Sequence, residues 1–138
     1  MYVHVSFWGV VLAALSAMII GTIWYSSALF GKSWKKILGV GDDEMKKRMG
    51  SAMVILVIVS LLTAYVLAHF IVYTHSFMGG SWITAGVETA LWAWLGFALT
   101  AVLAHGAFDP RDKQLLYINS GNRLVTLLAM GLILGAIH

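Results

Sequence analysis

The chain has no cysteine, a single proline and only six acidic residues among its 138. Without thiols, disulfides, thiolate metal sites and cysteine nucleophiles are excluded. Charged residues make up 11% of the chain, against about a quarter in soluble domains, so a water-soluble fold is excluded as well. The formal net charge of +3 invites a nucleic-acid reading. However, the basic residues mostly flank apolar runs and form no stripe interleaved with stacking aromatics, so nucleic acid is not an expected partner. No basic cluster precedes the first apolar run, and that run is long. A retained span is expected there, with no cleaved signal peptide.

Hydrophobic residues, at 60%, fill the rest. A bilayer-crossing helix needs about 20 mostly apolar residues. Four segments qualify, at residues 5–30, 51–73, 83–105 and 115–137. Strands of this length would overrun a small barrel, and backbone groups in lipid must be satisfied within their own segment. The expected fold is all-α: a single-domain, integral membrane four-helix bundle over residues 1–138.

Eight of the nine Lys and Arg residues fall in two connections. Lys32, Lys35, Lys36, Lys46, Lys47 and Arg48 lie between spans 1 and 2, and Arg111 and Lys113 between spans 3 and 4. Basic loops are retained on the cytoplasmic side. That places both connections inside and both termini outside, in the inner (plasma) membrane of the cell. The bilayer is then the natural partner, with anionic headgroups at Lys35, Lys36, Lys46, Lys47 and Arg48.

Local signals refine the elements. Gly41 followed by Asp42, Asp43 and Glu44, then by Lys46, Lys47 and Arg48, predicts a helix from about Asp43 into span 2, with Asp42 as N-cap. Asp109-Pro110 predicts that the fourth helix starts at the proline. Aromatics gather at two levels, Tyr2, Phe7, Trp8, Tyr73, Phe77 and Trp82 at one, and Trp24, Tyr25, Phe30, Trp34, Phe108 and Tyr117 at the other. These are interfacial belts. Small residues recur every fourth position: Ala13, Ala17 and Gly21; Ser60, Ala64 and Ala68; Gly96, Thr100 and Ala104; Gly131 and Gly135. Such stripes permit close helix approach, either within the chain or between the subunits of a homo-oligomer.

Glu88 and Arg123 are the only charged residues deep within the spans, and such residues are functional candidates that need partners. By helical rise, Glu88 lies roughly 7 Å below the outer surface and Arg123 roughly 12 Å above the inner one. Their side chains lean apart, each toward its own N-terminus. His69, at a depth similar to Glu88, is its better partner. On span 4, Asn119, Asn122, Arg123 and Thr126 share an arc of roughly 100°, which must face the bundle or a subunit interface. Arg123 leaning inward reaches the level of Trp24, Tyr25 and Ser26, where aromatic faces and hydroxyls can hold a guanidinium. No two histidines have the i, i+4 spacing of a helical ligand pair, so no metal and no cofactor are expected.

The run Gly21-Thr22-Ile23-Trp24-Tyr25-Ser26, followed by Leu29-Phe30-Gly31-Lys32-Ser33-Trp34, resembles the signature of a small bacterial and fungal membrane-protein family. That family is catalogued as the domain of unknown function numbered seventeen sixty-one. Ile118-Asn119-Ser120-Gly121 and the apolar run to Gly131 are similar to the family's last helix. The resemblance covers nearly the whole chain and implies a four-helix membrane protein with no established activity. Glu88 and Arg123 lie outside the matched residues.

The expected function is oligomeric transport, conduction, or binding of a small or lipidic molecule. Trp24, Tyr25, Ser26, Asn119, Asn122, Arg123, Glu88 and His69 are the candidate binding residues. Two alternatives stand beside it: a membrane-embedded enzyme using Glu88 and His69 as acid and base, or an assembly partner of another membrane complex.

Overall fold

The structure, a computed structural model, describes residues 3–138; Tyr2 of the outer aromatic belt lies outside the described residues. Helix α1 runs Phe7–Trp24, started by Ser6, whose hydroxyl accepts from the Gly9 amide at 3.2 Å. It stops six residues short of the expected 30. The Ser26 hydroxyl donates to the Ile23 carbonyl at 2.6 Å, and the chain turns back so that the Phe30 amide bonds the Trp24 carbonyl at 3.1 Å. A side chain at Gly31 would run into the Tyr25 and Ser26 carbonyls, so this reversal requires glycine. Apolar character continues through Ala28-Leu29-Phe30, which is why hydropathy alone overran the helix end.

The short amphipathic α2, Gly31–Leu38, leaves at that reversal and closes on Gly39 at φ 68°. Its Trp34 packs on Tyr25 with ring centroids 4.8 Å apart. Helix α3, Asp42–Met78, continues from the basic connection into the second span as expected. At 37 residues it is about 55 Å long, well beyond the roughly 30 Å of a hydrocarbon core. Gly41, not Asp42, occupies its N-cap. The Asp42 carboxylate is drawn away by Lys35, at 2.8 Å.

The third span is not one regular helix. Helix α4, Trp82–Ala93, passes through a wider i→i+5 turn at Trp94–Ala98 and continues as α5, Leu99–Ala107. Helix α6, Gln114–Ala136, starts four residues after Pro110. Asp109 and Asp112 instead cap a turn, accepting from the amides of Arg111 and Gln114 at 3.0 and 2.9 Å. The Asp-Pro signal therefore marks a turn and not the first helical residue.

Four helical stretches are long and apolar enough to cross a membrane: Phe7–Trp24, Asp42–Met78, Trp82–Ala107 and Gln114–Ala136. Helices α1 and α4 each pack against both α3 and α6, and α6 contacts every other helix. The core is built of small residues and a few large ones, among them Ala13, Ala64, Ala68, Ala85, Ala90, Ile71 and Met130. At the α4–α6 crossing the Gly86 and Gly131 backbones meet. A methyl group on either would strike the other's carbonyl, and one on Gly135 would sit 2.6 Å from the Trp82 carbonyl. The Gly131/Gly135 stripe thus packs within the chain. Span 3 is read differently than expected: its buried small face is Ala85, Gly86, Thr89 and Ala90, whereas Gly96 has open space where a side chain would stand.

Trp82 also packs at the end of the molecule that carries the C-terminal His138. Its indole is sandwiched between His75, at 3.8 Å, and His138, at 4.3 Å.

Candidate functional site

The first two turns of α6 are held by tryptophans from both sides. Trp24, the last residue of α1, donates its indole N–H to the Ile118 carbonyl at 3.0 Å. Trp94, the first residue of the wide turn, donates to the Ser120 carbonyl at 2.9 Å. Carbonyls carry a second lone pair beyond their helical bond, so both indoles are satisfied in an apolar environment at no cost to α6. The wide turn re-aims a side chain at this point, a common use of such bulges. Trp94 was missed in the sequence, although a tryptophan midway along an apolar span, far from either belt, has an N–H that calls for a partner when buried, and Trp92 beside it drew no notice either.

Tyr25 completes the anchor by donating its hydroxyl to Asn119 Oδ1 at 2.8 Å. Trp24 and Tyr25 therefore meet the start of α6 at the level where they were expected to meet Arg123, but the bonded partners are the Ile118 carbonyl and Asn119. Ser26 is nearby but spends its hydroxyl on the end of α1. Arg123 stands one turn beyond Asn119, close enough to Tyr25 to act on its phenol electrostatically. It is exposed, and it has no hydrogen bond or ion pair among the described residues. The expected resting place of its guanidinium among Trp24, Tyr25 and Ser26 is not bonded.

Arg123 instead lines a side-open cleft of about 810 Å³ between α3, α5 and α6. The cleft follows from the packing. Helix α6 packs closely on α4 through glycine and meets α5 at Gly106 and Leu116, but α5, beyond the wide turn, does not pack against α3 and leaves it without a neighbour there. Its lining is graded. Near the basic connections it holds His105, Asn119 and Arg123 beside Leu115 and Leu116, with Asp109 and Arg111 at the mouth and with Ser60 and Thr63 midway along α3. Toward the other end it is walled by Val66, Leu67, Phe70, Phe97, Leu127 and Met130. At the mouth, Arg111 grips Asp109 through Nη2 at 2.6 Å and through Nε at 2.9 Å to both oxygens. That double grip holds the Asp109 carboxyl down at about 2.

The remaining candidates lie elsewhere. Asn122 turns from the cleft into the protein, where its Nδ2 is buried with no hydrogen-bond partner among the described residues. Of the expected polar arc, Asn119, Arg123 and Thr126 face the cleft and Asn122 does not. His69 bonds the Tyr65 carbonyl of its own helix at 2.8 Å and packs edge-on against the Tyr65 ring. No ion pair joins His69 or Arg123 to Glu88 among the described residues, and neither His69 nor Glu88 lines the cleft.

The sequence model of the family described as "Protein of unknown function (DUF1761)" matches residues 8–135. The chain belongs to that family. No curated protein and no solved structure matches it.

Proposed function

We propose that this DUF1761 protein spans the membrane four times and takes a lipidic molecule from the bilayer into the cleft between α3, α5 and α6. The observation that carries this reading is the graded lining, polar at one end and apolar at the other, in a cleft open to the side. The volume falls within the range of about 300–1,000 Å³ typical of small-molecule sites. An ion path is disfavoured because the lining beyond Thr126 offers no polar groups. An acid–base enzyme is disfavoured because Glu88 and His69 neither meet nor face the cleft.

The surface supports the membrane setting. On α3, Val54, Ile55, Leu56 and Ile58 are each 47–60% exposed, on all sides of the helix. In water such a shell would be an aggregation surface; in hydrocarbon it is the ordinary exterior. The bonds from Trp24 and Tyr25 to the start of α6 put α2 and the α5–α6 connection at one end. Our reading places this end, with its eight positive charges, in the cytoplasm beneath an inner membrane. Lys35 and Arg48 are paired with Asp42 and Glu44, whereas Lys32, Lys36, Lys46 and Lys47 remain for anionic headgroups.

Two experiments test these points. The chain lacks cysteine, so Ser33→Cys and Ser76→Cys each give a single thiol. An impermeant reagent applied to intact cells is expected to label the second and not the first, and the reverse pattern would invert the orientation. For the cleft, Ala101→Trp places a large ring on its wall. Native mass spectrometry of protein from bilayers is expected to show bound lipid that this substitution removes while the thermal midpoint holds. An unchanged lipid load in the filled variant would refute the cleft as the site.

A further inference from the structure

Resting on that reading of the cleft, we infer that its ligand is a single-chain amphiphile with a carboxylate head, bound by Arg123 and the Asn119 amide. Three charged side chains line the cleft, and two of them, Asp109 and Arg111, neutralise each other. Arg123 is the charge left over, in the middle of a helix read as lying within the membrane. An ionisable group at such depth calls for a partner, and the described residues supply none. The missing partner is therefore an anion that comes with the ligand.

The second donor is already oriented. Asn119 and Arg123 are four residues apart and share one face of α6. The Tyr25 hydroxyl occupies Asn119 Oδ1 at 2.8 Å, so the amide's N–H groups are the ones left to donate. Tyr25 thus acts as a positioning residue. A guanidinium fork and an amide N–H together match the flat, singly charged carboxylate. A phosphate dianion would bring a second charge, and among the described residues lining the cleft there is no second unpaired Lys or Arg to meet it.

The tail follows from the remaining lining. From Arg123 the lining continues along α6 to Met130, seven residues or roughly 10 Å at 1.5 Å per residue. That holds the first part of one extended chain beside Leu67, Phe70 and Met130, with its head at Arg123. The rest of the chain continues into the bilayer through the open side of the cleft. His105, also on the lining, is the titratable group facing this head from α5.

The test compares chains of equal length with different heads. Hexadecanoate, hexadecyl phosphate, hexadecanol and hexadecyltrimethylammonium are each added to the full protein in phosphatidylcholine nanodiscs, and apparent Kd values are read by native mass spectrometry. Charge-assisted hydrogen bonds of ordinary strength predict that hexadecanoate binds at least about ten-fold tighter than hexadecanol, with the ammonium weakest. Arg123→Gln should reduce the carboxylate to the level of the alcohol while alcohol binding persists, which also shows that the variant is folded. Arg123→Lys should recover only part of the preference. Equal binding of acid and alcohol by the native protein, or a preference that survives Arg123→Gln, would overturn the assignment while the lipid cleft stands. Tighter binding of hexadecyl phosphate than of hexadecanoate would overturn the carboxylate. Failure of all four to bind would overturn the cleft reading as well.

Discussion

Gly131→Val is expected to drive α4 away from α6 and destabilise the protein by about 3 kcal/mol or more, at or beyond the upper end of ordinary overpacking. The reason lies in what the new atoms would meet. The Gly86 carbonyl carbon lies 3.0 Å from the position of a Cβ on Gly131, and the Ala90 methyl also lies at 3.0 Å. Overpacking against a flexible side chain can be relieved by a rotamer change, whereas backbone can move only if the whole helix moves. A denaturing-detergent titration of purified protein reads the loss, and Gly86→Val should give the same result from the opposite helix. Gly50 is the control: it is helical with open space around it. Gly50→Ala should be neutral or stabilising by up to about 1 kcal/mol through helix propensity. An unchanged midpoint for Gly131→Val would mean that α4 and α6 do not cross at these glycines.

The second large effect is at Trp24. Trp24→Ala removes the ring that packs against Phe30 at 4.8 Å and against Gly121, together with the bond to the Ile118 carbonyl. Truncations of this kind cost about 3–5 kcal/mol in cores. The partial exposure of Trp24 puts the expected loss near the lower figure. Trp24→Phe keeps much of the packing and deletes the indole donor, so it should cost only about 1 kcal/mol. The difference between the two variants separates packing from hydrogen bonding. A loss below about 1 kcal/mol for the alanine variant would show that α1 is not anchored to α6 through this residue.

Several features were legible in the sequence for identifiable reasons. The four spans are visible because burial in lipid demands length and apolarity, both of which are properties of composition. The entry of α3 through Asp43 and Glu44 is visible because acidic residues favour a helix N-terminus wherever it lies. That Trp24 and Tyr25 lie level with the polar start of the fourth helix was accessible through depth alone, since antiparallel spans bring the end of one to the level of the start of another. The bonded residue, Asn119 rather than Arg123, was not accessible in this way. Helix ends were less legible: the close of α1 depends on Ser26 and Gly31 in a stretch that remains hydrophobic throughout.

The sequence by itself determined an all-helical chain of four apolar spans, a basic end, and a charge on the fourth span. Only the tertiary structure decided the rotation of each helix about its axis. That rotation set Gly86 rather than Gly96 against α6, turned Asn122 inward and Arg123 into the cleft, and kept Glu88 apart from His69. The physical reason is that lipid and helix partner are equally apolar, so hydrophobicity does not distinguish the face that packs from the face that meets the bilayer. Close contact between backbones does, and it depends on which small residues on two distant segments come into register.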